Sequence, residues 1–221
     1  MLKRFAVTLI LSWSAIISSK AQNIVLNPAS VNLSQVTVEQ SDYKGRSALR
    51  VQGTSSTEKM LAILKEVDFH NGTIEAMISG QPSENAGESA RGFVGIAFRV
   101  APDIAKMEVF YLRPTNGRAN DQERRNHSTQ YISVPGYPWE KLRKESPGKY
   151  ESYADMIPAE WIKVKIEVRN DTAKLYLNEA SQPALIVNDL KQHKDHRGSI
   201  GLWVGPGTLA YFADLKLTKE D

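Results

Sequence analysis

Cysteine is absent from the whole of the 221-residue chain. No disulfide can staple the fold, no thiolate can serve as nucleophile or metal ligand, and no lipidated cysteine can anchor the protein. A hydrophobic core must hold it alone. Nucleophile motifs are missing too. There is no G-x-S-x-G, and the "GPG" at 205–207 is turn chemistry with no helix behind it, not a phosphate loop. No stretch sustains a 3.6-residue apolar period. "APDIAK" and "YPWEKLRKE" have room for a helical turn or two each. Internal repeats and an interdomain linker are also absent.

An excess of charge is lacking once the N-terminus is set aside. "MLKR", the apolar "FAVTLILSWSAII" and the small residues of "SSKAQ" form the three parts of a secretory signal peptide over residues 1–21, with Gln22 as the mature start. The apolar run is shorter than the roughly 20 residues that cross a bilayer, so no transmembrane segment is expected after cleavage. Cleavage removes Lys3, Arg4 and Lys20 and no acid, which takes the 28 basic residues to 25, against 25 acidic ones. A neutral chain gives a nucleic-acid partner no electrostatic support. The expected compartment is the periplasm or the extracellular space.

What the chain does have is a period of two. In "WIKVKIEVRN", Ile162, Val164, Ile166 and Val168 alternate with Lys163, Lys165, Glu167 and Arg169. That is a strand with one wet face, as antiparallel sheets allow. "DTAKLYLN" follows across the Asn170–Asp171 turn signal, so the pair reads as a hairpin. "VNLSQVTVEQ", "SALRVQG", "LAILKEV", "GTIEAMISG", "PALIVNDL", "GSIGLWVG" and "LAYFADLKLT" read as further strands. "GFVGIAFRV" and "MEVFYLRP" are apolar on both faces and belong at the centre of a sheet. Many short strands with turn signals every 8–12 residues predict an all-β, antiparallel two-sheet sandwich of the jelly-roll type over residues 22–221.

The stretch "FYLRPTNGRANDQERRNHSTQY" breaks this rhythm and opens a polar insertion at about 114–155. Between Arg113 and Lys149 there are eight Lys/Arg and four Asp/Glu, a local positive excess in a neutral chain. Long polar segments on rigid β scaffolds are a usual place for function. Parity places Gly95, Ala97 and Arg99 on one side of their strand, and Tyr111 and Arg113 on one side of theirs. If the strands are neighbours, Arg99, Tyr111 and Arg113 form one groove face; the alternative is ion pairing of the two arginines with acids such as Glu108. Aromatic faces with planar polar side chains suit sugars, and an arginine fork clamps a carboxylate or sulfate. The candidate ligand-binding residues are therefore Arg99, Tyr111, Arg113, Asn116, Arg118, Gln130, Tyr131 and Trp139. Glu108 is the candidate catalytic acid/base. Glu151 with Asp155 form a weaker carboxylate pair, His127 is a possible base within the insertion, and His193 with His196 read as a solvated turn.

The run of "GFVGIAFRV", "MEVFYLRP", "WIKVKIEV" with "AKLYLN", "GSIGLWVG" and the closing "YFADLKL" resembles the concanavalin A-like lectin/glucanase superfamily. The ending is similar to that of laminin G-like jelly rolls. The Gly-Ile-x-x-Arg…Glu stretch is loosely similar to 3-keto-disaccharide hydrolase-like domains, which would carry over Arg99 and Glu108 as site residues. The resemblance implies a carbohydrate partner. It also implies a structural Ca²⁺ near the last strand, for which Asp214 is the one residue on offer. The Glu-x-Asp-x-x-Glu of the laminarinase-type enzymes is missing. Three functions stay open at this point: a glycan-binding protein, a hydrolase or lyase acting on a modified sugar through Glu108, and a structural or adhesion domain.

Overall fold

Alternating burial along the strands decides the architecture. The computed structural model describes residues 21–220; of the signal-peptide reading, only Ala21 falls among them. The strands are β1 (Ala21–Ile24), β2 (Val31–Ser34), β3 (Val36–Tyr43), β4 (Arg46–Gly53), β5 (Leu61–Leu64), β6 (Asn71–Pro82), β7 (Val94–Val100), β8 (Met107–Leu112), β9 (Thr129–Val134), β10 (Glu151–Ser152), β11 (Ile162–Arg169), β12 (Thr172–Leu177), β13 (Leu185–Val187), β14 (Ser199–Val204) and β15 (Thr208–Glu220). Three short helices, α1 (Pro114–Gly117), α2 (Gln122–Asn126) and α3 (Trp139–Glu145), all fall in the polar segment.

Two antiparallel sheets face each other. Sheet A runs β13-β12-β11-β6-β15-β4-β3, with β1 beside the second half of β15; sheet B runs β10-β9-β8-β7-β14-β5-β2. The fold is thus the all-β sandwich that the alternation predicts. The Asn170–Asp171 hairpin joins β11 to β12, with Arg169 opposite Thr172. β11 buries Ile162, Val164, Ile166 and Val168 and leaves the residues between them at the surface. Each such fully buried aliphatic side chain contributes about 1.5–3 kcal/mol. By contrast, every residue of β7, β8 and β9 is buried. One face of these strands packs on sheet A. The other is covered by the segment between β8 and β10 and by the β6–β7 loop.

Three readings change. "VNLSQVTVEQ" is two strands, because Gln35 has φ 51 and turns the chain from β2 in sheet B to β3 in sheet A. "APDIAK" forms turns without a helix. The segment at 114–155 is not all excursion: it contributes β9 and β10 to sheet B, and the stretches 113–128 and 135–150 leave the sheet and return.

Arg99 does not join Tyr111 and Arg113 on one face. Its φ is 53, at the end of the β7–β8 pairing and beside a register shift against β14. This reverses the side on which its side chain leaves the strand. The guanidinium is fully buried and bonds the His70 carbonyl (2.9 Å), Asn71 Oδ1 (3.1 Å) and the Asn170 carbonyl (2.7 Å). It ties the end of β7 to the start of β6 and to the β11–β12 turn. Glu108 is buried likewise, on the side of β8 away from Tyr111. It accepts hydrogen bonds from the Tyr131 hydroxyl and from the Gln192 amide (2.8 Å). Burial raises the Glu108 carboxyl, while Tyr131, Gln192, Ser133 and Arg99 act against that rise. Tyr131 is enclosed with it and also accepts from the Lys191 amide at 2.9 Å. These residues clip the segment after β13 onto sheet B.

Asp189 completes that clip. One of its carboxylate oxygens accepts from Lys149 (2.8 Å), Lys191 (2.7 Å) and the Tyr150 hydroxyl (2.7 Å). Burial alone would raise the Asp189 carboxyl, but these three bonds outweigh it and hold it at about 2. A carboxyl lowered by folding stabilises above its unfolded value and loses that contribution as the pH falls through its folded one. Asp189→Asn is therefore expected to be less stable than the parent at neutral pH. The gap should close between pH about 4 and about 2 in urea titrations; a gap of constant size would sink the assignment. Arg99→Ala should cost about 3 kcal/mol in the same assay, since three acceptors lose a fully buried charged donor.

Candidate functional site

One row of cross-strand partners builds the site. Trp203, Gly95, Tyr111 and Gln130 are successive neighbours over β14, β7, β8 and β9. Trp203 and Tyr111 stand two strands apart, about 9.5 Å at normal spacing, yet their ring centroids are 4.8 Å apart at 33°. The rings meet over Gly95. A Cβ there would lie 2.6 Å from Tyr111 Cβ and 2.2 Å from the Phe110 carbonyl oxygen. Phe93 meets Tyr111 edge-on at 6.2 Å. The Trp203 indole N–H donates to the Glu58 carbonyl at 2.8 Å, which pins the ring.

Arg113 borders this aromatic floor at the end of β8. Its guanidinium donates to the Tyr111 hydroxyl (2.8 Å), Gln130 Oε1 (3.2 Å) and the His127 carbonyl (3.0 Å). Pro114 then starts α1 at the helical position where its missing N–H costs nothing. Asp121 caps α2 by accepting the Arg124 amide at 3.0 Å. The Ser128 carbonyl accepts the Arg113 amide at 2.8 Å, so the excursion closes where it opened. Gly117 packs against Met156, whose carbonyl oxygen would lie 2.5 Å from any Cβ. Trp139, at the start of α3, forms a wall, with the Arg143 guanidinium 4.6 Å and that of Arg113 5.8 Å from its ring.

The result is a cleft of about 660 Å³ on the outer face of sheet B. Phe93 and Trp139 supply exposed apolar surface, with Tyr111, Ile132 and Trp203 almost fully buried at its floor; Arg91, Arg113, Asn116, Arg124, Arg143, Glu58, Asp121, Glu123, Glu140 and His127 supply polar groups. Arg143 is bound bidentately by the buried Glu151 (2.7–3.1 Å). His127 Nδ1 stands 2.8 Å from the same carboxylate. Burial lowers the His127 imidazole more than Glu151 raises it, so the ring is held towards its neutral form. Burial raises the Glu58 carboxyl, and the charge of Glu140 adds to that rise.

No family model and no curated protein matches the sequence. Solved structures do match. The carbohydrate binding module CBM66 from Bacillus subtilis superimposes with a TM-score of 0.53 at 14% identity, over 85% of this chain and 98% of that one. A putative glycosyl hydrolase from Parabacteroides distasonis ATCC 8503 follows with a TM-score of 0.51 at 12% identity, over 90% of this chain and 100% of that one. What is shared is the all-β jelly-roll sandwich. At such identities the likeness concerns the fold.

Within the jelly roll, Tyr111, Arg113, Asn116 and Trp139 line one cleft. Arg99, Glu108 and Tyr131 do not: all three lie inside the sandwich. Gln130 is buried beneath the cleft, bonded to Arg113 and to the carbonyls of Tyr131 and Tyr150. Arg118 projects away and holds Asp155 bidentately at 2.7 and 2.8 Å. That pair and the Arg143–Glu151 pair leave Glu151 and Asp155 with no shared site.

Asp214 sits in β15 of the other sheet, paired with Arg46. The acids around it, Glu75 and Glu179, pair with Lys216 and Lys163. Ca²⁺ takes six to eight oxygens. Three carboxylates each held by a cation do not fit it, and no cluster of three metal-ligating side chains occurs among the described residues.

Arg91, Phe93, Arg124, Arg143, Trp203 and Glu58 also line the cleft, and none of them is among the candidates read from the sequence. Trp203 shares a parity with Gly201 in "GSIGLWVG", but its role emerges only when β14 is paired with β7. Gly95→Ala is expected to part Tyr111 from Trp203 and to cost about 1–3 kcal/mol by overpacking. Near-UV circular dichroism reads the coupled rings. An unchanged spectrum in a folded variant would show that the glycine is not what brings them together.

Proposed function

We propose that the protein is exported and binds a carbohydrate in the cleft on the outer face of sheet B. The observation that carries this reading is the Trp203–Tyr111 floor with its rim of guanidinium and amide groups. Sugar rings offer apolar C–H faces that lie on aromatic rings, and hydroxyls that bond planar polar side chains. The Tyr111 hydroxyl accepts from Arg113 and keeps its own proton for the cleft. Burial pushes that hydroxyl up to about 12 against the pull of Arg113 and Arg143, so it remains a donor at physiological pH. The carbohydrate-binding and hydrolase names of the two structural neighbours accord with this reading. The signal-peptide pattern of residues 1–21 supports export to the periplasm or beyond.

Hydrolysis of the bound glycan is a second reading, and it moves to a different acid. Glu108 faces the interior, whereas Glu58 lines the cleft beside Glu140 and is raised by burial. A raised carboxyl next to a second one is the arrangement a general acid needs.

Titration calorimetry over a panel of soluble polysaccharides tests the first reading. Trp203→Ala is expected to weaken binding at least about tenfold, as loss of a central aromatic anchor does. Binding by Trp203→Ala equal to the parent would remove the cleft assignment. No binding to any glycan would leave the structural or adhesion reading. A reducing-end assay run beside it tests hydrolysis: turnover is expected to be lost in Glu58→Gln, and turnover that survives this change excludes Glu58 as the acid.

A further inference from the structure

Cations drawn into the fold are commonly met by a carboxylate. Arg143 has the buried Glu151, and Lys191 has Asp189. Arg99 and Arg113 are enclosed with neutral hydrogen-bond partners alone, Arg99 inside the sandwich and Arg113 at the cleft. Arg113 is only 5% exposed, and all its hydrogen-bond partners are neutral: a hydroxyl, an amide oxygen and a carbonyl. Three of the five N–H groups of its guanidinium are used in this way, and Nε donates to no atom among the described residues.

Arg91 and Arg124 line the same cleft. Arg91 donates only to the carbonyls of Glu88 and Ala90 in its own loop. Arg124 reaches Asn116 Oδ1 at 3.4 Å, a long bond. Neither forms an ion pair with a carboxylate among the described residues. Four acids also line the cleft, Glu58, Asp121, Glu123 and Glu140, but none forms an ion pair with these arginines, and Asp121 spends an oxygen on capping α2.

We infer that the glycan held here carries an anionic group, a carboxylate or a sulfate ester, seated against Arg113 and flanked by Arg91 and Arg124. This rests on the cleft being a glycan site. A buried guanidinium without a counter-ion is costly, and a ligand that supplies the charge recovers that cost on binding. Carboxylate and sulfate both present two oxygens to the planar fork of an arginine. The aromatic floor takes the ring that bears the group. Recognition is thus split between two features of the cleft. Trp203 and Tyr111 read the sugar face, and the arginines read its charge.

The test uses matched pairs of soluble ligands: oligogalacturonates against their carboxyl-reduced forms, and a sulfated galactan against its desulfated form. Calorimetry at low and at physiological salt is expected to show one anionic member bound at least about tenfold more tightly than its neutral counterpart. That preference should shrink in Arg91→Gln and in Arg124→Gln, two half-buried positions outside the sheet, and weaken as salt rises. The favoured pair identifies the group as carboxylate or sulfate. Equal affinity within both pairs, or a preference for the neutral members, overturns the inference and leaves the glycan reading standing. A preference that persists undiminished in the Arg91→Gln, Arg124→Gln double variant also overturns it, because the charge is then read elsewhere. Binding of no member of either pair, together with none in the wider polysaccharide panel, removes both readings.

Discussion

A buried guanidinium organises the outer face of sheet B. Arg113 sits where β8 leaves the sheet, and it holds the main chain at His127, the amide of Gln130 and the hydroxyl of Tyr111 at once. The first bond fixes the return of the helical excursion, the second fixes β9, and the third orients the ring on the cleft floor. Folding therefore draws a charge out of water and replaces its hydration with three neutral dipoles, a partial compensation at best. The two helices it supports have four and five residues, too short to persist alone. They exist because the polar groups around Arg113 require that path of the chain.

The aromatic floor depends on a different constraint, the spacing of strands. Rings on next-nearest strands are too far apart to touch unless the residue between them vanishes. Gly95 provides that gap, and the Trp203–Tyr111 contact follows. The floor is set by the sheet ladder and the rim by loops and short helices. No strand of sheet A lines the cleft; the sheet supplies the opposing layer of the core and, beside β6 and at the β11–β12 turn, the carbonyls to which Arg99 of sheet B donates.

Strand existence and centrality are legible in the sequence because alternation is a local property. Val94 to Val100 and Met107 to Leu112 read as central from their apolar faces, and they are neighbours with Gly95 opposite Tyr111. Parity holds as far as the strands stay regular. It places Tyr111 and Arg113 together and fails at Arg99, where a left-handed φ of 53 reverses the side chain. A single non-glycine residue in that conformation carries no composition signal. Glu108 escapes placement for a related reason. Parity puts it with Phe110 and Leu112, but which face of a doubly buried strand lies inward is decided by the opposing sheet. Trp203 is beyond reach because β14 finds β7 across a hundred residues of chain, and nothing local announces that pairing. The helical excursion has readable marks in Pro114 and Asp121, but helices of one turn leave no period to detect.

The loop that leads from β6 to β7 has a property of its own. The Arg91 side chain bonds only carbonyls of that loop, so it contributes charge to the rim without stitching the rim to the sandwich. Arg113 is the reverse, a residue whose replacement disturbs three separate parts of the chain. Selection can therefore act on the two arginines independently. On the proposed reading, drift at position 91 would change what the cleft accepts while the scaffold stays intact, and position 113 is held in place by folding itself.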